Sequence, residues 1–336
     1  MLRFMTRRMV SMIFVLVGIS LMVFFLGNLS SRDPARAALG PRATEEQVQR
    51  LREKMGLDRP VWEQYVRYVL RLVRGDLGDS IMTRRAVSKD MAIYLPASLE
   101  LTAAALFLCI VLGYPLGVLA ARHPGGPFDK LIHALSMTGV AIPVFWIGIV
   151  FQLIFYRRLD LLPAEGRLPV FGVEAPPAVT HLLTVDSILA GDIKTLWAVL
   201  RHLILPAITL ALPNLAYVIK LVRVRVIENL TEDYVRTARS KGLSERRILI
   251  VHAVPNALLP AITMTGMLVG SMLGGAVLVE IIFNWPGIGL YTVRAIQVAD
   301  LVPVLDTTLI VALVYMVGNL IVDLLYTLLD PRIRYE

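Results

Sequence analysis

The chain has little cysteine and little charge. Cys109 is its single cysteine, and only 18% of its 336 residues are charged. One cysteine excludes a disulfide framework within the chain. A chain that is 56% hydrophobic, with a mean hydropathy of +0.67, is also unlike an ordinary soluble domain. The composition therefore indicates a polytopic membrane protein.

Motifs of nucleotide, zinc and nucleophile chemistry are absent from the sequence. It contains no G-x-x-x-x-G-K-[ST] phosphate loop, no H-E-x-x-H zinc helix and no G-x-S-x-G nucleophile elbow. Polar residues are rare within the apolar runs, and Gln152, Asn319 and Asp323 are among the exceptions. Intramembrane enzymes usually carry ionisable groups in several spans. We therefore expect a chain that is not an enzyme, with no catalytic residue, no metal site and no bound cofactor.

Six apolar runs are long enough to cross a bilayer. They lie near residues 9–29, 97–121, 131–155, 202–222, 261–283 and 307–329. Lipid excludes open strands and irregular backbone, so the sequence predicts an all-α polytopic protein with six transmembrane helices. The first run, with Ala35-Arg36-Ala37 after it, also has features of a secretory signal. It is longer than the roughly 7 to 15 residues of a signal core, which favours a retained helix.

The distribution of Lys and Arg predicts the topology. Three Arg precede the first run, and residues 220–260 carry eight basic residues against four acidic ones. Short loops of this kind stay in the cytoplasm. We therefore expect both termini inside, with segments 1–29 (start and first helix), 30–96 (extracytoplasmic helical loop), 97–329 (five-helix core) and 330–336 (cytoplasmic tail). The net charge of +8 is explained by topology and anionic lipid, without nucleic acid.

The segment 30–96 has the sequence of a folded loop. Thr44 and Gln47 form a capping-box pattern, and Gly56 follows the first helix that this pattern predicts. A second helix is expected after Pro60 and before Gly75. Its apolar residues are predicted to share one face that packs on the bundle, which makes the loop a small lid or platform; they are Val61, Trp62, Tyr65, Val66, Val69, Leu72 and Val73.

A polar stretch from Asp233 to Pro260 interrupts two apolar runs. It predicts a helix from Glu232 to Lys241, a turn at Gly242 and a second helix opened by Ser244. Such an amphipathic element at a membrane surface indicates a partner protein that receives it.

Small residues in the spans indicate close helix packing. Gly266, Gly270 and Gly274 form a tandem G-x-x-x-G, and Gly113 and Gly117 form another. This spacing favours packing within the chain over a seam between subunits. The sequence then continues through Pro286, Gly287 and Gly289, which are expected to break the helix on the outer side. This leaves an acid and two aromatic residues at the outer mouth of the bundle, namely Glu280, Phe283 and Trp285.

One motif is similar to a family signature. The string Tyr234-Val235-Arg236-Thr237-Ala238, followed by Gly242 and then Val254-Pro255, resembles the EAA signature of ABC importer transmembrane subunits, in the form of the dipeptide and oligopeptide branch. Arg236 and Thr237 stand where the general pattern has Glu and Ala, which is usual for that branch, and His252 stands where it has Ile. The resemblance extends to Gly56-Leu57-Asp58-Arg59-Pro60, Gly75-Asp76-Leu77-Gly78 and Asp330-Pro331-Arg332-Ile333-Arg334.

The resemblance implies a type I ABC importer permease fold with a cytoplasmic EAA loop at 225–260. It implies that ATP and Mg are bound by two separate ATPase subunits, and that a second permease, in a heterodimer, and an extracytoplasmic binding protein complete the complex. It places the complex in a bacterial or archaeal cytoplasmic membrane. The docking residues would be Tyr234, Arg236, Thr237, Ala238, Gly242 and Pro255.

The same resemblance suggests roles for the outer residues and for the substrate. Glu280, Phe283, Pro286 and Gly287 are expected at an outer gate or pathway, with the three glycines of 266–274 on the pathway helix. Peptide is the expected substrate, while glutathione, nickel chelates and oligosaccharides remain alternatives in this branch. A secondary transporter would show ionisable residues at the midplane, and a membrane scaffold would have no use for the docking element.

Overall fold

The computed structural model describes residues 2–28, 33–40, 42–169 and 171–329, which are mainly helical. The α-helices are α1 (Leu2–Asn28), α2 (Pro34–Leu39), α3 (Glu45–Met55), α4 (Val61–Val73), α5 (Val87–Arg122), α6 (Pro127–Ala141), α7 (Val144–Phe151), α8 (Leu183–Leu189), α9 (Ile193–Leu230), α10 (Asp233–Ser240), α11 (Glu245–Arg247), α12 (Val254–Ile282), α13 (Ile288–Gln297) and α14 (Leu301–Leu329). Two π-helical segments, π1 (Gln152–Arg158) and π2 (Ile248–Ala253), continue α7 and precede α12. Within these ranges the only β-type pairing is an isolated bridge between Asp79 and Ala86.

The all-α prediction is confirmed, and the described residues contain five or six candidate spans. Five helices of the described part are long and apolar enough to cross a membrane, namely Thr6–Asn28, Val87–Arg122, Ile193–Leu230, Pro260–Ile282 and Leu301–Leu324. A sixth span is obtained if Pro127–Gly139 and Val144–Arg158 are counted as one, although the chain bends by 100° between them. The sequence predicted this segment as one continuous run. The break falls at Ile142, which is extended before Pro143, because proline disfavours helical backbone in the residue before it.

The described chain forms two compact units. One contains residues up to Ala97 together with Pro286–Met316. Its buried clusters are centred on Val87, Met91, Ile288 and Tyr291, and on Phe24, Tyr68 and Leu305. The other contains Ser98–Trp285 and the part of the chain from Val317 that the structure describes. The predicted tail 330–336 lies outside the described residues.

The second unit is organised around α9, which packs against α6, α7, α8 and α12. Close contact with α5 is made at two glycines. A Cβ atom on Gly113 would lie 2.8 Å from Val218 Cγ1, and one on Gly117 would lie 2.9 Å from the Ile219 carbonyl oxygen. The G-x-x-x-G spacing of this span therefore serves a contact within the chain.

The two helices of the 30–96 loop begin and end where the sequence predicts. Thr44 Oγ1 accepts from the Gln47 amide at 3.4 Å, the Thr44 amide donates to Gln47 Oε1 at 3.0 Å, and Gly56 is left-handed at φ 69°. The predicted packing face of α4 is only half right. Tyr65, Val69 and Leu72 pack with the buried Tyr68, whereas Trp62, Val66 and Val73 are exposed. The side of α4 that packs is rotated around the helix axis relative to the predicted face. It is centred on Tyr68, which the predicted face did not include.

Candidate functional site

The predicted helix, turn and helix are all present in the 233–260 segment. Helix α10 ends at Ser240, Lys241 is its C-cap, and Gly242 follows with φ +77°. The chain then extends through Ser244 and enters α11, which continues through π2 into α12. Ser244 makes no side-chain capping bond, so the turn rests on glycine rather than on the N-cap. The left-handed backbone at Gly242 is the conformation that glycine adopts at little cost.

The docking residues fall into an exposed set and a buried one. Val235 and Ala238 are buried against Ile248, with Leu230 and Leu243 packed around them. Ala238 therefore fixes α10 to its own chain. The other predicted docking residues are exposed, namely Tyr234, Arg236, Thr237, Gly242 and Pro255.

Polar contacts close the turn on its surface. Arg239 donates from Nε to Glu245 Oε1 at 2.8 Å and from Nη2 to Glu245 Oε2 at 3.2 Å, so a two-pronged ion pair spans Gly242. The hydrogen bond from Arg239 lowers the pKa of the Glu245 carboxyl. The Tyr234 hydroxyl donates to Asn229 Oδ1 at 2.9 Å, which ties α10 to the last turn of α9. These bonds hold an exposed, basic, preformed surface.

An ion pair between α9 and α6, which was not predicted from sequence, lies near the C-terminal end of α9. Arg223 donates from Nε and Nη2 to both carboxylate oxygens of the buried Asp129 on α6. The Gly125 amide donates to Asp129 Oδ2 at 2.9 Å. The pair fixes the end of α9 that leads into α10. The two residues are 94 positions apart, and no local motif indicates that they pair.

The predicted outer-gate residues of α12 lie inside the second unit. Glu280 and Phe283 are each 1% exposed. Ser98 Oγ donates to Glu280 Oε1 at 2.5 Å, and a Cβ on Gly148 would lie 3.2 Å from Phe283 Cε2. These residues therefore fill the interior of the described unit rather than standing open at its mouth.

Pro286 and Gly287, the other two predicted gate residues, precede α13. Pro286 is half-buried, and Gly287 is the buried N-cap of that helix. The gate role of all four residues stays a prediction.

A second polar network, also missed from sequence, fastens the loop between π1 and α8, which contains Arg167. Glu100 Oε2 accepts from Arg167 Nη2 at 2.5 Å, and Glu100 Oε1 accepts from the Thr184 amide at 2.7 Å. The Arg167 guanidinium carbon lies 5.6 Å from the centroid of the Trp285 ring, within cation–π range. Gln152, noted only as a polar exception, donates to the Ile282 carbonyl at 3.0 Å. The loop is thereby bound to the end of α12.

The glycine stripe of α12 is not uniform. A Cβ on Gly266 would lie 2.5 Å from Val322 Cγ2 of α14, whereas a Cβ on Gly274 would have no neighbour within 4 Å among the described residues. Gly270 is half-buried between them. Of Gly266 and Gly274, the one with a helix–helix contact that requires glycine is Gly266. In the described part of the chain, no group of three or more His, Cys, Asp or Glu is arranged to hold a metal.

Two family models and several known proteins match the chain. The family described as "Binding-protein-dependent transport system inner membrane component" matches residues 113–335. A second family model, which describes the N-terminal part of binding-protein-dependent transport system membrane components, matches residues 1–102.

The similar proteins match over nearly the whole chain. A probable D,D-dipeptide transport system permease of Escherichia coli (strain K12) is 41% identical over 96% of this chain and 94% of its own. A di/tripeptide transport system permease of Pseudomonas aeruginosa (strain UCBPP-PA14) is 39% identical, and a dipeptide transport system permease of Alkalihalophilus pseudofirmus is 37% identical, both over 100% of each chain.

Proposed function

The chain belongs to the family of binding-protein-dependent transport system inner membrane components, and we propose that it forms the membrane pathway of an ATP-driven peptide importer. The observation that carries this proposal is the full-length identity of 37% and 39% to proteins named as dipeptide and di/tripeptide permeases. Glutathione, nickel chelates and oligosaccharides are the alternative substrates. The three similar permeases are named for dipeptides or di/tripeptides, which favours peptide over these alternatives.

The coupling role is assigned to the exposed face of the segment 233–260. This face carries Tyr234, Arg236 and Thr237 beside a glycine turn that an ion pair closes. The segment connects α9 to α12, so a displacement of α10 is transmitted to two long helices. ATP and Mg would be bound by two cytoplasmic ATPase subunits, and this chain would transmit their closure. A second permease and an extracytoplasmic binding protein would complete the complex, with both termini of this chain in the cytoplasm.

Reconstitution tests the importer proposal. The chain would be purified with its second permease and ATPase subunits and placed in proteoliposomes with the binding protein. We expect labelled dipeptide to accumulate only when ATP is supplied on the ATPase side. An ATPase variant in which the phosphate-loop lysine is replaced by alanine is expected to abolish accumulation. Uptake driven by an ion gradient without ATP would instead assign the chain to the secondary transporters.

The outer-gate proposal predicts a transport defect when the charge of Glu280 is removed. Glu280→Gln keeps the size of the side chain and an oxygen that accepts from Ser98. A hydrogen bond to a charged group contributes about 1.5–3 kcal/mol and a neutral one about 0.5–1.5 kcal/mol, so the change weakens the bond by about 1–1.5 kcal/mol and we expect uptake to fall roughly five- to tenfold. Ser98→Ala, which removes the donor instead, is expected to lower uptake in the same direction. Normal uptake by Glu280→Gln at equal complex yield would mean that the residue is structural.

A further inference from the structure

Helix α4 packs against the membrane-spanning part of its neighbours. Ser20 Oγ and the Tyr65 hydroxyl are 2.8 Å apart, and the Phe24 ring lies 5.4 Å from the Tyr65 ring. Ser20 is eight residues before the end of the span Thr6–Asn28, which at 1.5 Å per residue is about 12 Å inside it. Tyr68 donates to Asp306 Oδ1 at 3.0 Å, and Asp306 lies within the span Leu301–Leu324. Helix α4 therefore lies at the level of the apolar spans rather than beyond them.

At that level α4 exposes a row of large apolar side chains. Trp62, Val66, Leu70 and Val73 are 66%, 47%, 51% and 81% exposed. Their spacing of four, four and three residues places them on one side of the helix. On α1, beside the aromatic contact, large apolar side chains including Phe25 are also exposed, so the row continues an apolar surface of a membrane span. Water is a poor solvent for such a surface.

A row of arginines borders the apolar row. Arg67, Arg71 and Arg74 are exposed and follow one another at spacings of four and three residues. They line a cavity of about 560 Å³, together with Lys54. The cavity also has apolar walls from the ends of α1 and α14, among them Phe24, Leu301 and Leu305. Four basic side chains, against the two carboxylates of Asp79 and Asp300, thus stand beside apolar walls where two spans end.

We propose that α4 is an interfacial helix that binds the phospholipids of the leaflet next to Asn28 and Leu301. The row Trp62, Val66, Leu70 and Val73 contacts acyl chains, and Arg67, Arg71 and Arg74 bind the phosphodiester groups above them. An amphipathic helix with basic residues beside an apolar face has the composition of such elements. The long arginine side chains reach from apolar depth to the headgroups. A protein partner on this face would not require the arginines to follow the border of the apolar row.

Spin-label accessibility tests the placement of the apolar row. Single cysteines would be introduced as Val66→Cys, Leu70→Cys and Val73→Cys in a Cys109→Ala background, labelled, and studied in the assembled permease in phospholipid vesicles. Oxygen concentrates in acyl chains and a water-soluble nickel chelate does not, so we expect a high ratio of oxygen to nickel collisions at all three sites. Glu46→Cys, on the exposed side of the polar helix α3, is the matched control and should show a low ratio.

Two other results of the labelling would overturn the proposal. A ratio at the three sites equal to that at Glu46→Cys would place α4 in water. Low collision rates with both oxygen and nickel would show that a protein, such as the second permease, covers the row. Correct assembly of each labelled variant would be checked by copurification of the partner subunits.

Lipid retention tests the arginine row. We expect native mass spectrometry of the purified complex to show fewer bound phospholipids after Arg67→Gln, Arg71→Gln and Arg74→Gln are combined. The matched control is Arg50→Gln, an exposed arginine of α3 that does not line the cavity. Excess inorganic phosphate is expected to leave the bound lipid in place. Equal retention in the triple variant, or displacement by inorganic phosphate, would exclude a phospholipid site here.

Discussion

Replacing Gly242 by valine is expected to lower coupled uptake roughly 5- to 30-fold while the chain still enters the membrane. Gly242 has φ +77°, and none of the described residues would lie within 4 Å of a Cβ there, so the cost is backbone strain and not a clash. Left-handed backbone costs a side-chain-bearing residue about 1–2 kcal/mol, with β-branched residues affected most. That energy reduces the population of the native turn by a factor of roughly 5–30. The measurements are ATP-driven peptide uptake and the amount of ATPase that copurifies.

Two control variants separate the docking turn from strain in general. Asparagine tolerates the left-handed region, so Gly242→Asn should keep most of the uptake. Gly191 has φ +67° and equally open surroundings, but it lies before α9, away from the docking segment. Gly191→Val should therefore keep ATPase association. Full uptake and normal ATPase binding in Gly242→Val would refute the docking assignment.

Much of the fold follows from local patterns in the sequence. Long apolar runs mark the spans because lipid leaves the backbone no other way to satisfy its hydrogen bonds. The capping box at Thr44 and the glycines at 56, 75 and 242 mark helix ends because each acts within a few residues. The bend at Pro143 was missed because the residues around it are apolar on both sides. The apolar composition therefore indicates one continuous helix, whereas the bend between α6 and α7 depends on a single proline.

The polar contacts of the site could not be predicted in this way. Ser98 and Glu280 are 182 residues apart, and Arg167 and Glu100 are 67 apart. A sequence shows that Glu280 stands near helix breakers, but not that its carboxylate turns inward to Ser98. For the same reason the docking string predicted Ala238 as part of the contact surface, whereas its side chain packs on Ile248. Which side of a short helix is buried depends on contacts with distant segments.

Replacing Gly266 by alanine is expected to destabilise the permease by about 1–3 kcal/mol, the usual cost of an added methyl group in a packed interior. The new Cβ would lie 2.5 Å from Val322 Cγ2 and 3.1 Å from Cγ1. Valine in a helix has one strongly preferred rotamer, so it cannot turn both methyl groups away. Helices α12 and α14 would have to separate. The measurement is the thermal unfolding midpoint of the purified complex, which should fall.

A matched pair of variants tests whether this close contact is the cause. Alanine is a better helix former than glycine by about 1 kcal/mol, and Gly274→Ala gains this benefit on the same helix without displacing any neighbour in the described part of the chain. Its midpoint should therefore equal or exceed that of the native chain. Val322→Ala removes both methyl groups that meet the new Cβ, so adding it to Gly266→Ala should recover part of the lost stability.

If Gly266→Ala unfolds at the same temperature as Gly274→Ala, or if Val322→Ala gives no recovery, the contact between α12 and α14 does not limit the packing. The small residues of α12 would then be required elsewhere, and a seam with the second permease becomes the better explanation for Gly266, Gly270 and Gly274.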